Sequence, residues 1–219
     1  ILDPLLETLC QRPGDKTFAR RCALVLGSFS SRQLSRIGPF LDSETDPVVL
    51  QVLVEVAEDA GSRQLLARVA ALIEKLSEGP ESNGPGPYAK VRLRAHAALA
   101  ASGSRLAIND LSTLLRDRRY PLRPELIDAA GEICTRQEFG SLLAAYLRSR
   151  GVTRLAMRDA ILQVARREKI RRTDRMLAQL EPAEGRAARE ILGHPRRGGR
   201  KAAARTRAKI DRLSDPLLP

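Results

Sequence analysis

The chain has 219 residues, of which 43% are hydrophobic, 29% charged and only 3% aromatic. This composition is rich in Leu and Ala and lacks Trp, which favours helices over strands in a chain long enough to bury a core. No apolar run approaches the roughly 20 residues that cross a bilayer, so no membrane span is expected.

The net charge of +12 is unevenly distributed along the chain. The last 24 residues, from position 196 to the end, contain eight Lys or Arg and two Asp, and so carry half of the excess. A basic balance favours anionic partners such as nucleic acid, acidic protein surfaces or anionic lipid, and it does not choose among them.

Three cysteines occur, Cys10, Cys22 and Cys134. An odd number without close pairing argues against a disulfide framework and for a reducing compartment, so a cytoplasmic location is expected. No signal peptide is visible. Because the first residue is Ile1 rather than Met, we expect a processed or excised segment, from which a targeting signal could have been removed.

Apolar residues recur at steps of three and four along most of the chain, which is the period of amphipathic helices. The predicted helices cover 1–11, 15–29, 31–41, 46–60, 62–78, 88–102, 105–117, 121–135, 137–150, 153–168, 171–181 and 183–193. Turn residues separate them. Asp46 is predicted to cap one helix, with Pro47 at its first position. Short turns make successive helices pair as hairpins.

The second helix of each hairpin has an apolar anchor residue, and the anchors recur at a short period. The anchors are Phe18, Val49, Val91, Leu122, Met157 and Ala188, spaced by 31, 42, 31, 35 and 31 residues. The longest spacing includes a segment rich in Gly and Pro, 78–87, which is predicted to be a mobile surface loop inserted in the third repeat.

Parts of one repeat pattern occur in several hairpins. They are Asp46-Pro47-Val48-Val49, Val91-Arg92 with Ala95, Ala98 and Leu99, and Leu26-Gly27. Together they resemble the HEAT-repeat family, whose pattern reads roughly Asp-Pro-x-Val-Arg-x-x-Ala-x-x-Ala-Leu-Gly, in its short bacterial style. The resemblance covers 1–193 and implies an all-α, armadillo-like, right-handed α-solenoid of about six stacked helical hairpins, with second helices lining a concave surface.

The periodic pattern ends at Gly193. Residues 194–219 are predicted to form a basic, flexible C-terminal tail, in which 202–213 could form one short helix. The thin last hairpin is expected to cap the stack, because the end repeats of a solenoid are exposed on one side.

No catalytic or metal-binding constellation stands out in the sequence. The two histidines, His96 and His194, and the scattered cysteines lack metal-ligand spacing. No Gly-rich phosphate loop follows a strand, and no Ser-centred elbow motif occurs. We therefore predict a protein that is not an enzyme and holds no cofactor or metal.

The Arg residues that follow the anchors have two alternative roles. They either form ion pairs that keep neighbouring repeats in register, or line the concave face and meet an acidic protein partner. The candidate partner-binding residues are Arg92, His96, Arg123 and Arg158.

A dense basic cluster lies near the end of the repeats. Its residues are Arg166, Arg167, Lys169, Arg171, Arg172 and Arg175, and the tail adds Arg196, Arg197, Arg200 and Lys201. Either they form a solvated surface, or they form a patch that binds nucleic acid or an acidic protein. Since the tail has no aromatics to stack on bases, phosphate contacts would give salt-sensitive, sequence-blind binding.

The expected function is that of a non-catalytic protein-interaction scaffold or adaptor, which binds a partner with an acidic surface on the second helices. The alternative is a nucleic-acid-binding HEAT-like solenoid that uses the basic C-terminal end. Its sharpest version resembles the HEAT-like alkylpurine DNA glycosylases, although a damaged base needs a stacking pocket and the chain has no Trp. HEAT-like bilin lyases form a third class, for which the residues offer no separate support.

Overall fold

A computed structural model of the protein describes residues 2–12, 14–78 and 86–193. Within these ranges all regular elements are helical and no strand occurs, so the fold is all-α. The α-helices are α1 (Leu2–Cys10), α2 (Lys16–Leu26), α3 (Ser31–Leu34), α4 (Gly38–Ser43), α5 (Pro47–Ala60), α6 (Arg63–Glu78), α7 (Pro87–Ala101), α8 (Ile108–Arg116), α9 (Pro124–Ile133), α10 (Phe139–Arg148), α11 (Gly151–Arg167) and α12 (Pro182–Gly193). None of these helices combines the length and the apolar character that a bilayer crossing requires.

The chain divides into two compact units. The N-terminal unit comprises Ile1–Leu114 with Arg119–Pro121, and the C-terminal unit comprises Leu115–Arg118 with Leu122–Pro219. Each unit has buried helices of its own, and each is described by itself.

In the N-terminal unit, helix α5 is the central element. It packs on α2 and on α7, while α6 packs on α4 and α7. Because neighbours cover it widely, α5 buries apolar residues around most of its circumference, among them Val49, Leu53, Val54 and Val56. Helices α2, α5 and α7 are the predicted second helices of three successive hairpins.

The termini of α5 follow from local chemistry. The Asp46 carboxylate accepts hydrogen bonds from the amides of Val48 at 2.9 Å and Val49 at 3.0 Å, which confirms the predicted cap. Pro47 occupies the first turn, where no intrahelical donor is needed. The helix ends at Gly61, whose φ of 60° is a left-handed conformation that glycine adopts without a Cβ penalty.

In the C-terminal unit, α11 packs on α9 and α10, and α12 packs on α10. The core residues of this unit include Phe139, Leu142, Met157, Ile161, Val164 and Ile191. Helix α9 lies close to α11 at Gly131, where a Cβ would lie 3.1 Å from Oε1 of Gln163 and 3.4 Å from Cβ of Ala160. Helices α9 and α11, the predicted second helices of two successive hairpins, are therefore adjacent in this unit.

Two predicted helices are interrupted or reduced to a short turn in the structure. The helix predicted over 31–41 is interrupted by a 3₁₀ turn, Ser35–Ile37, because Pro39 has no amide hydrogen to donate to the Ser35 carbonyl. The helix predicted over 171–181 is reduced to a 3₁₀ turn, Arg175–Ala178, which Asp174 caps.

The helix predicted over 121–135 begins only at Pro124. Arg123 is extended, with φ −82° and ψ 155°, since a residue before proline disfavours the helical region. The anchor Leu122 and its following Arg123 therefore precede the helix instead of standing within it.

Two predictions fall on residues that the structure leaves undescribed. The loop predicted over 78–87 lies outside the described residues between positions 79 and 85. The basic tail predicted over 194–219, with its short helix 202–213, lies wholly outside them.

Candidate functional site

Two of the predicted partner-binding residues lie on α7, one helical turn apart. Arg92 is only 4% exposed and His96 is 0% exposed. A guanidinium group and an imidazole that lose their water must find partners inside the protein. Residues four positions apart share one helix face, so a single partner can serve both.

Their common partner is Asp110, which stands in the first turn of α8. Nε of Arg92 donates to Oδ2 of Asp110 at 2.9 Å, and a second guanidinium nitrogen donates to Oδ1. Nε2 of His96 lies 2.7 Å from the same Oδ2. The carboxylate therefore holds a two-point contact with Arg92 and a third contact with His96, which we name the buried polar triad.

The triad holds its carboxylate in the ionised form. Burial by itself raises the pKa of Asp110, but the hydrogen bonds from His96 and Arg92 and the charge of Arg92 outweigh it, so the pKa lies below its usual value. Because an ionised carboxylate can only accept a hydrogen bond, the proton between His96 and Asp110 lies on Nε2 of His96. Nδ1 of His96 is buried and has no hydrogen-bond partner among the described residues.

Tyr120, which follows α8 in the N-terminal unit, also contacts the buried polar triad. The Arg92 guanidinium lies 6.0 Å from the centre of the Tyr120 ring, a distance at which cation–π attraction operates. The Tyr120 hydroxyl donates to the carbonyl of Ala89 on α7 at 3.3 Å. The sequence prediction did not anticipate this aromatic contact.

These contacts bear on the two roles proposed for Arg92. It pairs with the first helix of the following hairpin, as the register role requires. Arg92 is 4% exposed and His96 is 0% exposed, so these two side chains offer a partner little surface in this structure. Sequence reasoning missed Asp110, although it is the only acidic residue between Arg92 and Arg116.

The other two predicted partner-binding residues belong to the C-terminal unit. Arg123 precedes α9 and Arg158 lies within α11, and both are half-buried. No result tests their predicted role.

The predicted basic cluster occupies the end of α11 and the connection to α12. All six of its described members, Arg166, Arg167, Lys169, Arg171, Arg172 and Arg175, are exposed. The four tail members, Arg196, Arg197, Arg200 and Lys201, lie outside the described residues. The cluster therefore stands on the surface of the C-terminal unit.

One member of the cluster has a structural role. Nη1 of Arg167 donates to the carbonyls of Gly131 at 2.9 Å and Glu132 at 2.7 Å, and Nη2 donates to the carbonyl of Cys134. These carbonyls stand at the C-terminal end of α9, where the last turn has no intrahelical donors and a partial negative charge accumulates. Arg167 thus caps α9 from the neighbouring helix.

A second arginine caps α11 in return. Arg136, which follows α9, donates to the carbonyls of Glu168 at 3.2 Å and Lys169 at 3.4 Å. Its remaining nitrogen pairs with Asp174 at 2.9 Å. The C-terminal ends of α9 and α11 are therefore held together by reciprocal arginine contacts.

Lys169 has an unusual backbone conformation, with φ of 54°. The amide of Ile170 donates to Ala165 at 2.8 Å and that of Lys169 to Arg166 at 3.4 Å, the two bonds of a Schellman motif. Gly103 occupies the equivalent position after α7, with φ of 69°. A lysine therefore takes the place that glycine usually fills.

Five members of the cluster remain without internal partners. The side chains of Arg166, Lys169, Arg171, Arg172 and Arg175 form no hydrogen bond or ion pair with any other residue that the structure describes. We name these five residues the basic surface.

Two of the three cysteines, Cys10 and Cys22, are poorly suited to nucleophilic chemistry. Burial, together with a hydrogen bond and the charge of Glu44, raises the pKa of Cys10 to about 12. Burial also raises the pKa of Cys22, against the smaller opposing effect of Arg12. The reactive thiolate is therefore scarce at both positions. Within 2–12, 14–78 and 86–193, no three or more His, Cys, Asp or Glu residues converge as metal ligands do.

Comparison of the chain with protein-family models, with curated proteins and with solved structures finds no match.

Proposed function

We propose that this chain is a non-catalytic, HEAT-like helical-repeat scaffold that binds a protein partner on the solvent side of its second helices. The observation that carries the proposal is the packing of those helices. Helix α5 packs on α2 and α7 in the N-terminal unit, and α9 packs on α11 in the C-terminal unit. Repeat proteins build their extended binding surfaces by such stacking.

The second helices keep narrow polar stripes in solvent. Glu55 and Asp59 are exposed on α5, Lys90 on α7, and Glu125 and Glu132 on α9. Residues spaced by four or seven positions share one helix face, so α5 and α9 each offer a defined row of side chains to a partner.

The cations on or beside these helices suit a partner with acidic groups. Lys90 is fully available, and the half-buried Arg123 and Arg158 contribute the accessible parts of their guanidinium groups in this proposal. The free cysteines Cys10, Cys22 and Cys134 are consistent with work in a reducing compartment such as the cytoplasm.

The test uses the intact chain as bait in a lysate of its source cells, with mass spectrometry to identify the retained protein. The purified partner is then titrated against a second-helix variant, K90E. We expect the dissociation constant to rise at least tenfold, because position 90 then presents a negative charge to the acidic groups of the partner.

The matched control reverses one exposed cation on a first helix, R63E, with the same net change. This control should keep the parent affinity within about twofold, since each exposed charge outside an interface contributes little. Equal losses in both variants, or a loss in the control alone, would refute the proposed binding surface.

A further inference from the structure

We propose that the basic surface binds the phosphate backbone of nucleic acid without sequence preference. This function goes beyond protein scaffolding and belongs to a different part of the molecule. The carrying observation is that five exposed cations lie within ten consecutive residues and have no side-chain partner in the part of the chain that the structure describes: Arg166, Lys169, Arg171, Arg172 and Arg175.

The structure separates these five cations from the charges that stabilise the fold. Arg167 is occupied by three carbonyls of the α9 terminus. The two acidic residues of the same segment are also engaged, Glu168 with Arg167 at 3.6 Å and Asp174 with Arg136 at 2.9 Å. The acids are therefore partly neutralised by other arginines, and the five free cations dominate the local potential.

The composition of residues 166–175 fits a phosphate backbone better than a protein partner. Its apolar residue, Ile170, is 5% exposed, and no aromatic residue occurs between positions 166 and 175. Protein interfaces depend on apolar and aromatic anchors at their centre, which this surface lacks. Four of its five cations are arginines, whose planar guanidinium groups match phosphate in a bidentate manner.

The backbone at Lys169 adds an independent indication. A left-handed conformation costs a non-glycine residue about 1 kcal/mol or more, and glycine fills this position at Gly61 and Gly103. Residues kept in such conformations cluster at functional sites. Lys169 stands at the turn that ends α11, where glycine would be less strained. The presence of a lysine there indicates that its positive charge is favoured.

The chain leaves the described fold beside the basic surface. Nη1 of Arg172 would lie 3.5 Å from a Cβ built at Gly193, the last described residue. The sequence that follows, 194–219, contains eight further Lys or Arg and two Asp. The sequence is therefore rich in cations on both sides of Gly193, which favours a polyanionic ligand.

The test measures binding of the full chain to a fluorescein-labelled DNA duplex of about 20 base pairs and arbitrary sequence, by anisotropy, between 50 and 300 mM NaCl. The surface variant is R166Q/K169Q/R171Q/R172Q/R175Q. The control, K16Q/R20Q/R21Q/R32Q/R63Q, also removes four Arg and one Lys, all exposed and without internal ion pairs among the described residues. Both changes lower the net charge from +12 by five.

We expect the surface variant to raise the dissociation constant at least tenfold, and the control to stay within about threefold of the parent. The slope of log K against log salt should fall by about one for each lost phosphate contact, in the surface variant alone. A duplex of scrambled sequence should bind equally well. A milder variant, R171Q/R172Q, tests the same point with a smaller loss if the fivefold variant does not fold.

Several results would overturn the proposal. Absence of duplex binding by the parent at 50 mM NaCl, or equal losses in the two fivefold variants, would show that the surface has no such role. Tighter binding of poly-glutamate would assign it to acidic protein segments, and tighter binding of phosphatidylglycerol vesicles would assign it to lipid headgroups.

Discussion

Asp110 is the common partner of two buried side chains in the N-terminal unit, Arg92 and His96. Its carboxylate neutralises a guanidinium that is 4% exposed and fixes an imidazole that has no exposed surface. An unpaired charge at this depth is costly, whereas an intact pair about balances its own desolvation. The triad therefore makes the folded state sensitive to the loss of any one member.

Replacement of Asp110 by Asn should lower the free energy of unfolding by about 3–5 kcal/mol, because the buried, charged Arg92 would lose the carboxylate that pairs with it. Urea denaturation followed by circular dichroism measures the change. Asp42→Asn is the matched control, since the Asp42–Arg68 pair has side chains 53% and 41% exposed and should contribute less than about 1 kcal/mol. Equal costs for the two substitutions would contradict the buried role of Asp110.

The stability contribution of Asp110 should depend on pH in a defined direction. Its folded pKa lies below the ordinary value of 3.8, so its contribution is present above that value and is lost as pH falls through the folded pKa. The stability difference between the parent and Asp110→Asn should therefore narrow as the pH falls below about 4. Urea unfolding at several pH values measures it, and a constant difference would be evidence against an ionised carboxylate.

At the scale of elements, the connections between helices in the C-terminal unit depend on arginines that reach across to another helix end. Arg167 and Arg136 each satisfy carbonyls that have no donor within their own helix. Lys169 ends α11 in a conformation that glycine adopts more easily. These helix ends determine where the chain turns and which cations face solvent.

Arg167→Met should destabilise the protein by about 1–2 kcal/mol, because three carbonyls at the end of α9 lose a charged donor that is itself 37% exposed. The neighbouring substitution Arg166→Met is the control and should change stability by less than about 0.5 kcal/mol. Thermal or urea unfolding compares the two. A larger effect at Arg166 would mean that the cap assignment is wrong.

Lys169→Gly should stabilise the protein by about 0.5–1 kcal/mol, because glycine relieves the left-handed strain at φ 54°. The reciprocal change, Gly103→Lys, should destabilise it for the same reason. Unfolding midpoints in urea report both signs. A destabilised Lys169→Gly protein would indicate that the lysine side chain makes a compensating contribution to folding.

At the scale of the whole molecule, an excess of like charge works against compactness. A net charge of +12 produces self-repulsion that weakens at high ionic strength. The two units carry part of this excess as exposed cations that have no internal ion pair.

Both fivefold variants, at the basic surface and on the N-terminal unit, should melt at the parent temperature or above it in 20 mM NaCl. Each removes five of the charges that produce the net +12, so repulsion in the folded state decreases. The gain should vanish in 1 M NaCl, where the Debye length is about 3 Å. Thermal circular dichroism provides the measurement, and a lower melting temperature at low salt would show that the substituted cations stabilise the fold.

The positions of most helices could be predicted because their causes are local. The Asp46–Pro47 start of α5 and the apolar periods of α6 and α7 are read within single turns of sequence. The prediction over 31–41 overlooked the missing donor of Pro39, and that over 171–181 overlooked the turn that Asp174 forms. Both errors arose where one residue competes with helical periodicity.

The sequence by itself determined an all-α chain of successive helices and the accumulation of positive charge near its C-terminal end. The tertiary structure decided which cations serve the fold and which face solvent. Arg92 meets Asp110 eighteen residues away, and Arg167 meets carbonyls 33 to 36 residues away. Such pairings follow from how helices pack on one another, and burial then determines whether each charge must be neutralised or can remain free.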